Sequence, residues 1–445
     1  MNALKKYLNN KGSIAPLVSF RMIFGVIMAF GAVRFAYYGW IKKLYIDPSH
    51  HFSYYGFDWI EPLPGIGMYL VFGVIFLSAL GVALGAFYRV SSVLFFLSFT
   101  YVELIDKTTY LNHYYFVSIV AFLLCLVPAH RFLSVDVWRK PELRQVKTRS
   151  WHIAIFKLQL GMVYFFAGIA KINADWLFRA MPLKIWLPGK SSLPIFGKLL
   201  TYEWTAYFFS WFGMLYDILI PFFLLWKKSR LLAYAAVIAF HVMTWSLFQI
   251  GIFPWVMIGS TLIFFSANWH EKIHKKLFGA SYEETKSAEA FSELQSTPRM
   301  VTAILAVHFA LQILLPFRYA LYPGDLFWNE QGYRFSWRVM LMEKAGYVTF
   351  HVSDPETGKS GIVDNSEYLT PLQEKQMSMQ PDMILEMAHW IAEDYRQQGF
   401  ENIEVKAESY ATLNGSGSRP FIDPDVNLVE KKQGFAHKNW ILSYE

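Results

Sequence analysis

The chain contains a single cysteine, Cys125, among its 445 residues, so no disulfide can form within it. Charged residues are also scarce, at 17% of the sequence, whereas hydrophobic residues make up 54% and aromatic residues 18%. A soluble protein has too little interior to bury so much apolar surface, and this composition is typical of an integral membrane protein. The cysteine lies in an apolar stretch, where we expect a small buried hydrophobic residue.

Several common binding and catalytic motifs are missing as well. The sequence has no phosphate-binding glycine loop and no Gly-x-Ser-x-Gly nucleophile elbow. No cysteine and histidine pair has the spacing of metal ligands, so we expect no metal. The net charge of +7 comes from basic residues between apolar segments, where they orient a membrane protein, and nucleic-acid binding is not expected. The chemistry left open is proton transfer on a membrane-soluble substrate.

Apolar runs of bilayer length predict a mainly α membrane protein, a polytopic bundle of about nine transmembrane helices. The predicted spans lie near residues 14–38, 66–87, 91–105, 112–129, 152–171, 204–226, 231–249, 252–267 and 299–320. Basic residues cluster in alternate connections, which the positive-inside rule places in the cytoplasm together with the N-terminus. The first span is too long for a signal-peptide core, so we expect it to be retained.

Charged residues return near residue 321, which divides the chain into two predicted domains. Residues 1–320 form the transmembrane helical domain, and residues 321–445 form a small extracytoplasmic α+β domain. In the second domain two alternating runs flank an Asp-Pro-Glu-Thr-Gly turn, which predicts a β-hairpin. An amphipathic helix is predicted to begin at Pro381, and residues 402–412 are predicted to form another strand.

Lys171 is the most informative ionisable residue, because it directly follows an apolar run that is long enough to span a bilayer. A charged side chain is costly there and marks a candidate functional site. Burial disfavours the charged form of an amine, and a neutral amine can accept a proton. The predicted topology places His113 and His241 at a depth similar to that of Lys171, which favours a pocket open to the outer leaflet. The alternative for each histidine is a hydrogen-bonded core residue.

Structural roles are expected for the other charged residues within the spans. Arg21, Arg89 and Lys157 lie near cytoplasmic ends and are expected to extend their charged groups into the interface. Arg34 and Asp217 are expected to form structural ion pairs.

Three segments around these residues resemble signature segments of the vitamin K-dependent gamma-carboxylase family. They are Asp-Lys-Thr-Thr-Tyr-Leu-Asn-His at 106–113, Tyr-Phe-Phe-Ala-Gly-Ile-Ala-Lys-Ile-Asn-Ala-Asp-Trp at 164–176 and Phe-His-Val-Met-Thr-Trp-Ser-Leu-Phe-Gln-Ile-Gly at 240–251. Similarity at 81–89, 133–136, 333–337 and 419–425 extends the resemblance from about residue 14 to residue 440. The chain is similar to a shorter, bacterial-type family member with an HTTM-type membrane domain.

The resemblance implies a membrane enzyme that couples oxygenation of vitamin K hydroquinone, or of a menaquinol-type quinol, to carboxylation of glutamate side chains. Lys171 then corresponds to the base that deprotonates the quinol, and His113 and His241 correspond to histidines of the same pocket. The implied co-substrates are O2 and CO2. The implied partners are the lipid bilayer and a glutamate-containing peptide or protein on the extracytoplasmic side.

Five residues near these positions are candidates for binding the quinone. Asn112 precedes His113, and the aromatic candidates for stacking on the ring are Tyr114, Phe166, Trp245 and Phe248. Ordinary packing between helices and at the membrane interface is the alternative for each aromatic residue.

The sequence also departs from the animal members of the family. Ala170 stands where they have the first of two lysines, Thr244 stands where they have asparagine, and they continue beyond the position of residue 445. An alternative is therefore a protein of the same fold without carboxylation, either a quinol oxidase or a non-catalytic lipid-binding or scaffold protein. We expect a bacterial plasma membrane with the second domain outside, or the endoplasmic reticulum in a eukaryote.

Overall fold

The computed structural model describes residues 10–248, 250–287 and 298–444. Helices dominate it, and a small sheet lies near the C-terminus. The α-helices are α1 (Ala15–Tyr37), α2 (Trp40–Tyr45), α3 (Gly67–Leu84), α4 (Tyr88–Ile105), α5 (Asn112–Leu126), α6 (Val135–Arg139), α7 (Trp151–Ala170), α8 (Ala174–Phe178), α9 (Leu183–Trp186), α10 (Glu203–Leu225), α11 (Arg230–Leu247), α12 (Phe253–Thr261), α13 (Ala267–Ser287), α14 (Arg299–Leu314), α15 (Leu326–Asn329), α16 (Pro371–Met377) and α17 (Pro381–Gln397). The strands are β1 (Lys11–Ser13), β2 (Lys147–Arg149), β3 (Lys344–Ser353), β4 (Ser360–Ile362), β5 (Glu404–Leu413) and β6 (Arg419–Pro420).

Seven of the described helical segments are long and apolar enough to cross a bilayer. They are α1, α3, α4, α7, α10, α11 and Arg299–Leu321, which contains α14. The other two predicted spans correspond to shorter apolar helices, Asn112–Leu126 and Phe253–Phe264. The prediction of a mainly α membrane protein is confirmed. The 15 residues of α5 extend about 22 Å, less than the roughly 30 Å of a hydrocarbon core.

Close contact between α1 and α3 fixes one side of the bundle. A Cβ atom on Gly25 of α1 would lie 2.5 Å from Ala83 N of α3, so only glycine fits there. Arg21 of α1 is fully buried and donates hydrogen bonds to Val82 O at 3.2 Å and Leu133 O at 2.8 Å. The expectation that Arg21 extends into the interface is therefore wrong, because its guanidinium satisfies carbonyl groups where a helix and a loop end.

The C-terminal region confirms the predicted hairpin, helix and strand. Its four strands form an antiparallel sheet in the order β4-β3-β5-β6. β3 and β5 pair along all ten residues of each strand. The helix that begins at Pro381 packs its apolar face on the sheet, and the fully buried residues of that face are Met383, Ile384, Met387 and Ile391. The result is the expected small α+β domain.

The loop between α4 and α5 attaches the membrane helices to this domain. Lys107 is buried, and its Nζ lies 2.7 Å from Glu386 Oε2 and 3.2 Å from Asp382 Oδ2, both in α17. Gln373 Nε2 of α16 donates to Asp106 Oδ2 at 3.0 Å. Burial raises the pKa of Asp106 to about 6. These contacts hold the start of α5, where His113 lies, against the C-terminal domain.

Candidate functional site

Lys171 directly follows the last residue of α7 and is buried, with 7% of its surface exposed. Its Nζ donates hydrogen bonds to Asp217 Oδ2 of α10 at 2.7 Å and to Ala167 O of α7 at 3.2 Å. Asp217 is 5% exposed, so the ion pair is shielded from solvent. The sequence marks Asp217 only as a candidate for a structural ion pair, and the structure identifies Lys171 as its partner.

A glycine explains why α7 and α10 come close enough for this pair to form. A Cβ atom on Gly168 would lie 2.7 Å from Ile218 N and 2.6 Å from Ile218 Cγ1, closer than side chains tolerate. Small residues allow such close helix packing in membranes. On the outer side, Trp176 Nε1 donates to Ser210 O of α10 at 2.8 Å, and the Trp176 ring lies 5.5 Å from Lys171 Nζ.

The pairing changes the chemistry expected of Lys171. A solitary buried amine has no partner for its charge, whereas Lys171 has a carboxylate at hydrogen-bonding distance. The attraction is strong in a medium of low dielectric, and a charge-assisted hydrogen bond joins the two groups. The structure therefore differs from the solitary amine expected from the sequence. The unit that can accept a further proton is the Lys171–Asp217 pair.

His241 of α11 contacts the same helix α7, at a position deeper than that of Lys171. It is buried, and its Nε2 lies 2.9 Å from the hydroxyl of Tyr164 in α7. Tyr164 precedes Lys171 by seven residues, so the two lie on one face of α7, about 10 Å apart along its axis. Within the described residues, His241 Nδ1 is buried without a hydrogen-bond partner. A buried polar atom in this state calls for a ligand or a water.

His113 approaches His241 through a shared aromatic neighbour. The centre of the His113 ring lies 5.3 Å from that of Phe253, the first residue of α12, and the His241 ring lies 6.0 Å from the same phenylalanine. The distant helix α5 and the consecutive helices α11 and α12 thus bring the two predicted histidines to one aromatic side chain. Lys171 lies in the α7–α10 interface, to which His241 is linked through Tyr164.

The predicted quinone-binding residues occupy different surroundings. Asn112 Nδ2 donates to Arg338 O at 2.9 Å, which ties α5 to the C-terminal domain, and Tyr114 packs against His113 with ring centres 4.5 Å apart. Phe166 lies about 140° around α7 from Lys171 and lines a separate cavity of about 220 Å³. The contacts thus place Tyr114 beside a predicted site residue and Phe166 on another face of α7.

The two remaining aromatic candidates lie toward the outer ends of the helices. Trp245 is half exposed, and its ring centre lies 5.9 Å from that of Trp255. The ring of Phe248 lies 5.7 Å from that of Trp186. Their role in binding a quinone stays a prediction.

Tyr164 and Tyr216 are site residues that sequence reasoning missed. The ring of Tyr216, next to Asp217 in α10, stacks on Phe240 at 4.1 Å and lies 6.1 Å from that of Tyr164. The Tyr216 hydroxyl is buried without a hydrogen-bond partner among the described residues. The seven-residue spacing between Tyr164 and Lys171 is a signal that could have identified Tyr164.

Comparison with known proteins yields two family matches. The model described as HTTM domain matches residues 9–269, more than half of the chain. The model described as Vitamin K-dependent gamma-carboxylase, lumenal domain, matches residues 297–445. No solved structure matches the chain.

Proposed function

The chain belongs to the vitamin K-dependent gamma-carboxylase family, and on this premise we propose that it is a membrane carboxylase and epoxidase. It would couple oxygenation of vitamin K hydroquinone, with O2 and CO2 as co-substrates, to carboxylation of glutamate side chains. The observation that carries the proposal is the buried Lys171–Asp217 pair between α7 and α10, together with the Tyr164–His241 pair between α7 and α11. Such a cluster of buried ionisable groups is rare in a membrane unless it has a function.

In this proposal the pair of Lys171 and Asp217 is the base. A proton leaves a quinol hydroxyl for the pair, which then holds an ammonium and a carboxylic acid. The quinol would supply, together with O2, a base strong enough to remove the proton of the glutamate γ-carbon, because no side-chain base is strong enough for that step, and the resulting carbanion would add CO2. The ammonium of Lys171 stays beside the new negative charge and stabilises it.

The histidines orient the quinol rather than accept its proton. Tyr164 fixes one nitrogen of His241, which leaves Nδ1 directed at a ligand. His113 and Phe253 form an aromatic wall beside it, suited to contact with a flat ring. Burial among helices excludes water, which would otherwise quench reactive species.

We also propose an orientation, with the N-terminus in the cytoplasm and residues 321–445 outside a bacterial plasma membrane. The described segments include seven long helical segments, or nine with the two short ones. Both counts are odd, so either one supports a location of the N-terminus and of residues 321–445 on opposite sides of the membrane. The basic clusters in alternate connections support the same orientation. The peptide substrate then meets the protein on its extracytoplasmic side.

The test is an assay of purified protein in lipid with vitamin K hydroquinone, oxygen, labelled bicarbonate and a glutamate-containing peptide. We expect label in the peptide with the wild type and a roughly 100- to 10,000-fold loss with Lys171→Ala. Lys190→Ala, at a half-buried lysine of an outer loop, is the matched control and is expected to keep activity. Formation of epoxide without labelled peptide would indicate quinol oxidation alone. Absence of both products would overturn a catalytic role.

A further inference from the structure

A cavity of about 240 Å³ lies at the ends of the membrane helices, between the C-terminal domain and the loops that follow α2 and α4. Its walls carry a marked excess of cationic side chains. The cations are Lys107, Arg318, Arg334 and Lys438, and the carboxylates are Glu330 and Asp382. A concave surface of one charge concentrates ligands of the opposite charge.

Both carboxylates of the cavity already have cationic partners. Asp382 Oδ2 lies 2.7 Å from Arg334 Nη1 and 3.2 Å from Lys107 Nζ. Burial alone would raise the pKa of Asp382, but Arg334 and Lys107 hold it well below its usual range. Glu330 Oε1 lies 2.9 Å from Lys344 Nζ. The negative charge in the walls is thus compensated within the protein.

Arg318 and Lys438 are the cations that remain. Within the described part of the chain, neither has a carboxylate at ion-pair distance. Arg318 Nη2 donates only to Arg334 O at 3.3 Å, and its Nε is buried without a partner. Lys438 Nζ reaches only Gly434 O, at 3.4 Å. Burial lowers the pKa of Lys438; Asp382 acts against this shift, and the neighbouring cations Lys107, Arg334 and Arg318 lower the pKa further. An anionic ligand would relieve this repulsion.

The cavity is also connected to the candidate site. Phe335, one of its aromatic walls, has a φ of +62°, a conformation rare outside glycine and frequent at ligand sites. Its backbone N donates to the hydroxyl of Tyr110 at 2.7 Å, and that hydroxyl lies 3.0 Å from Asn112 Oδ1, next to His113. A ligand in the cavity therefore lies beside the loop that presents His113.

We propose that this cavity binds the side-chain carboxylate of an acidic residue that neighbours the modified glutamate in a peptide substrate. The inference rests on the proposed function, since it assigns a subsite for the same substrate. Aromatic walls formed by Tyr54, Phe57 and Phe335 suit the apolar parts of a peptide, and the space exceeds that of a small inorganic anion. Arg318 and Lys438 supply the charge that selects acidic neighbours.

The test is a binding measurement on the full chain in lipid nanodiscs, without quinol and therefore without turnover. A fluorescent peptide has a central glutamate flanked by aspartates, and the matched peptide has asparagines in their place. We expect Arg318→Gln and Lys438→Gln each to weaken binding of the acidic peptide about tenfold, as for the loss of one charge-assisted contact. The neutral peptide should bind equally to all forms, and the exposed Lys375→Gln is the control.

Each other outcome would count against the inference. Equal losses for both peptides would mean that the cavity does not read the flanking carboxylates, and no loss would mean that they bind elsewhere. If free malonate occupied the site as tightly as the acidic peptide, the ligand would be a small carboxylate rather than a peptide. Carboxylation of the neutral peptide is measured separately. A failure of the proposed carboxylate subsite is therefore distinguishable from a failure of the proposed enzymatic activity.

Discussion

Lys171 and Asp217 are 46 positions apart in the sequence, and their side chains meet at 2.7 Å between α7 and α10. Removing one partner of such a pair leaves an uncompensated buried charge, at a cost of about 3–5 kcal/mol. The same contact therefore supports both the packing of the two helices and the proposed chemistry. Experiments on it must separate stability from activity.

Asp217→Asn tests whether the pair or the lysine alone is the base. Asparagine cannot accept a proton, so we expect quinol epoxidation to fall roughly 100-fold or more. The measurement is the initial rate of epoxide formation by purified, correctly inserted protein. Retention of the wild-type rate would contradict the pair as base, because Lys171 without its carboxylate would then be sufficient.

Replacing both members of the pair separates folding from catalysis. The double variant Lys171→Met with Asp217→Leu removes both charges and keeps similar volume, so we expect a free energy of unfolding within about 2 kcal/mol of the wild type. Each single variant should be less stable than the double. Unfolding in detergent measures stability, and the double variant should remain inactive. Activity in the double variant would exclude both residues from the chemistry.

Gly168→Ala is expected to destabilise the protein by about 1–3 kcal/mol and to reduce activity. The added Cβ would lie 2.6 Å from Ile218 Cγ1, so α7 and α10 must separate beside the Lys171–Asp217 pair. Gly161→Ala in the same helix is the control, because its Cβ would meet its nearest neighbour, Pro221 Cβ, at 3.8 Å. Thermal unfolding of the two variants measures the difference, and equal stabilities would contradict the close contact.

Tyr164→Phe is expected to cost about 1–3 kcal/mol, because it leaves Nε2 of His241 buried without a partner. In a double-mutant cycle with His241→Leu, the two changes should be coupled by at least about 0.5 kcal/mol. Tyr234→Phe is the control, since that hydroxyl donates to Ile258 O rather than to His241. Additive effects of Tyr164→Phe and His241→Leu would show that the hydrogen bond does not form.

Asp106 predicts a dependence of stability on pH. Burial raises its pKa from 3.8 to about 6, so its protonated form is favoured by folding. The associated stability is fully present below pH 3.8 and is lost as the pH rises through 6. The shift corresponds to about 3 kcal/mol.

The comparison with Asp106→Asn isolates this effect, because asparagine does not titrate. Measured by thermal unfolding between pH 4 and pH 7, the wild type should lose stability relative to the variant as the pH rises, by up to about 3 kcal/mol. A constant difference across this range would show that the carboxyl group is not desolvated in the folded protein.

Local patterns made much of the architecture predictable. Each of the nine predicted apolar segments contains a helix, and the hairpin, the helix at Pro381 and strand β5 follow from alternation, turn residues and amphipathic spacing. The cost of a charge in lipid also singled out Lys171 before any contact was known. These inferences succeed because they depend on neighbours within a few residues.

The partners of the buried groups were not predictable in this way. Asp217 and Lys171 lie on separate helices, and nothing in either segment selects the other. Arg21 was expected to extend into the membrane interface, but it is buried. The sequence could not predict this, because the carbonyl groups that accept its hydrogen bonds belong to a helix end and a loop that are distant in the sequence. Phe166 lines a cavity of about 220 Å³, and its role in binding a quinone stays a prediction.

The sequence by itself determined that the chain lies in a membrane, where its helices run and which lysine is costly to bury. Hydrophobicity and backbone hydrogen bonding act along the chain and leave their signal in it. The tertiary structure alone decided that an aspartate shares the charge of that lysine and that two histidines meet at Phe253. Helix pairing depends on how well two helix surfaces fit together, as at the gap left by Gly168. This complementarity belongs to the packed pair and cannot be read from either segment alone.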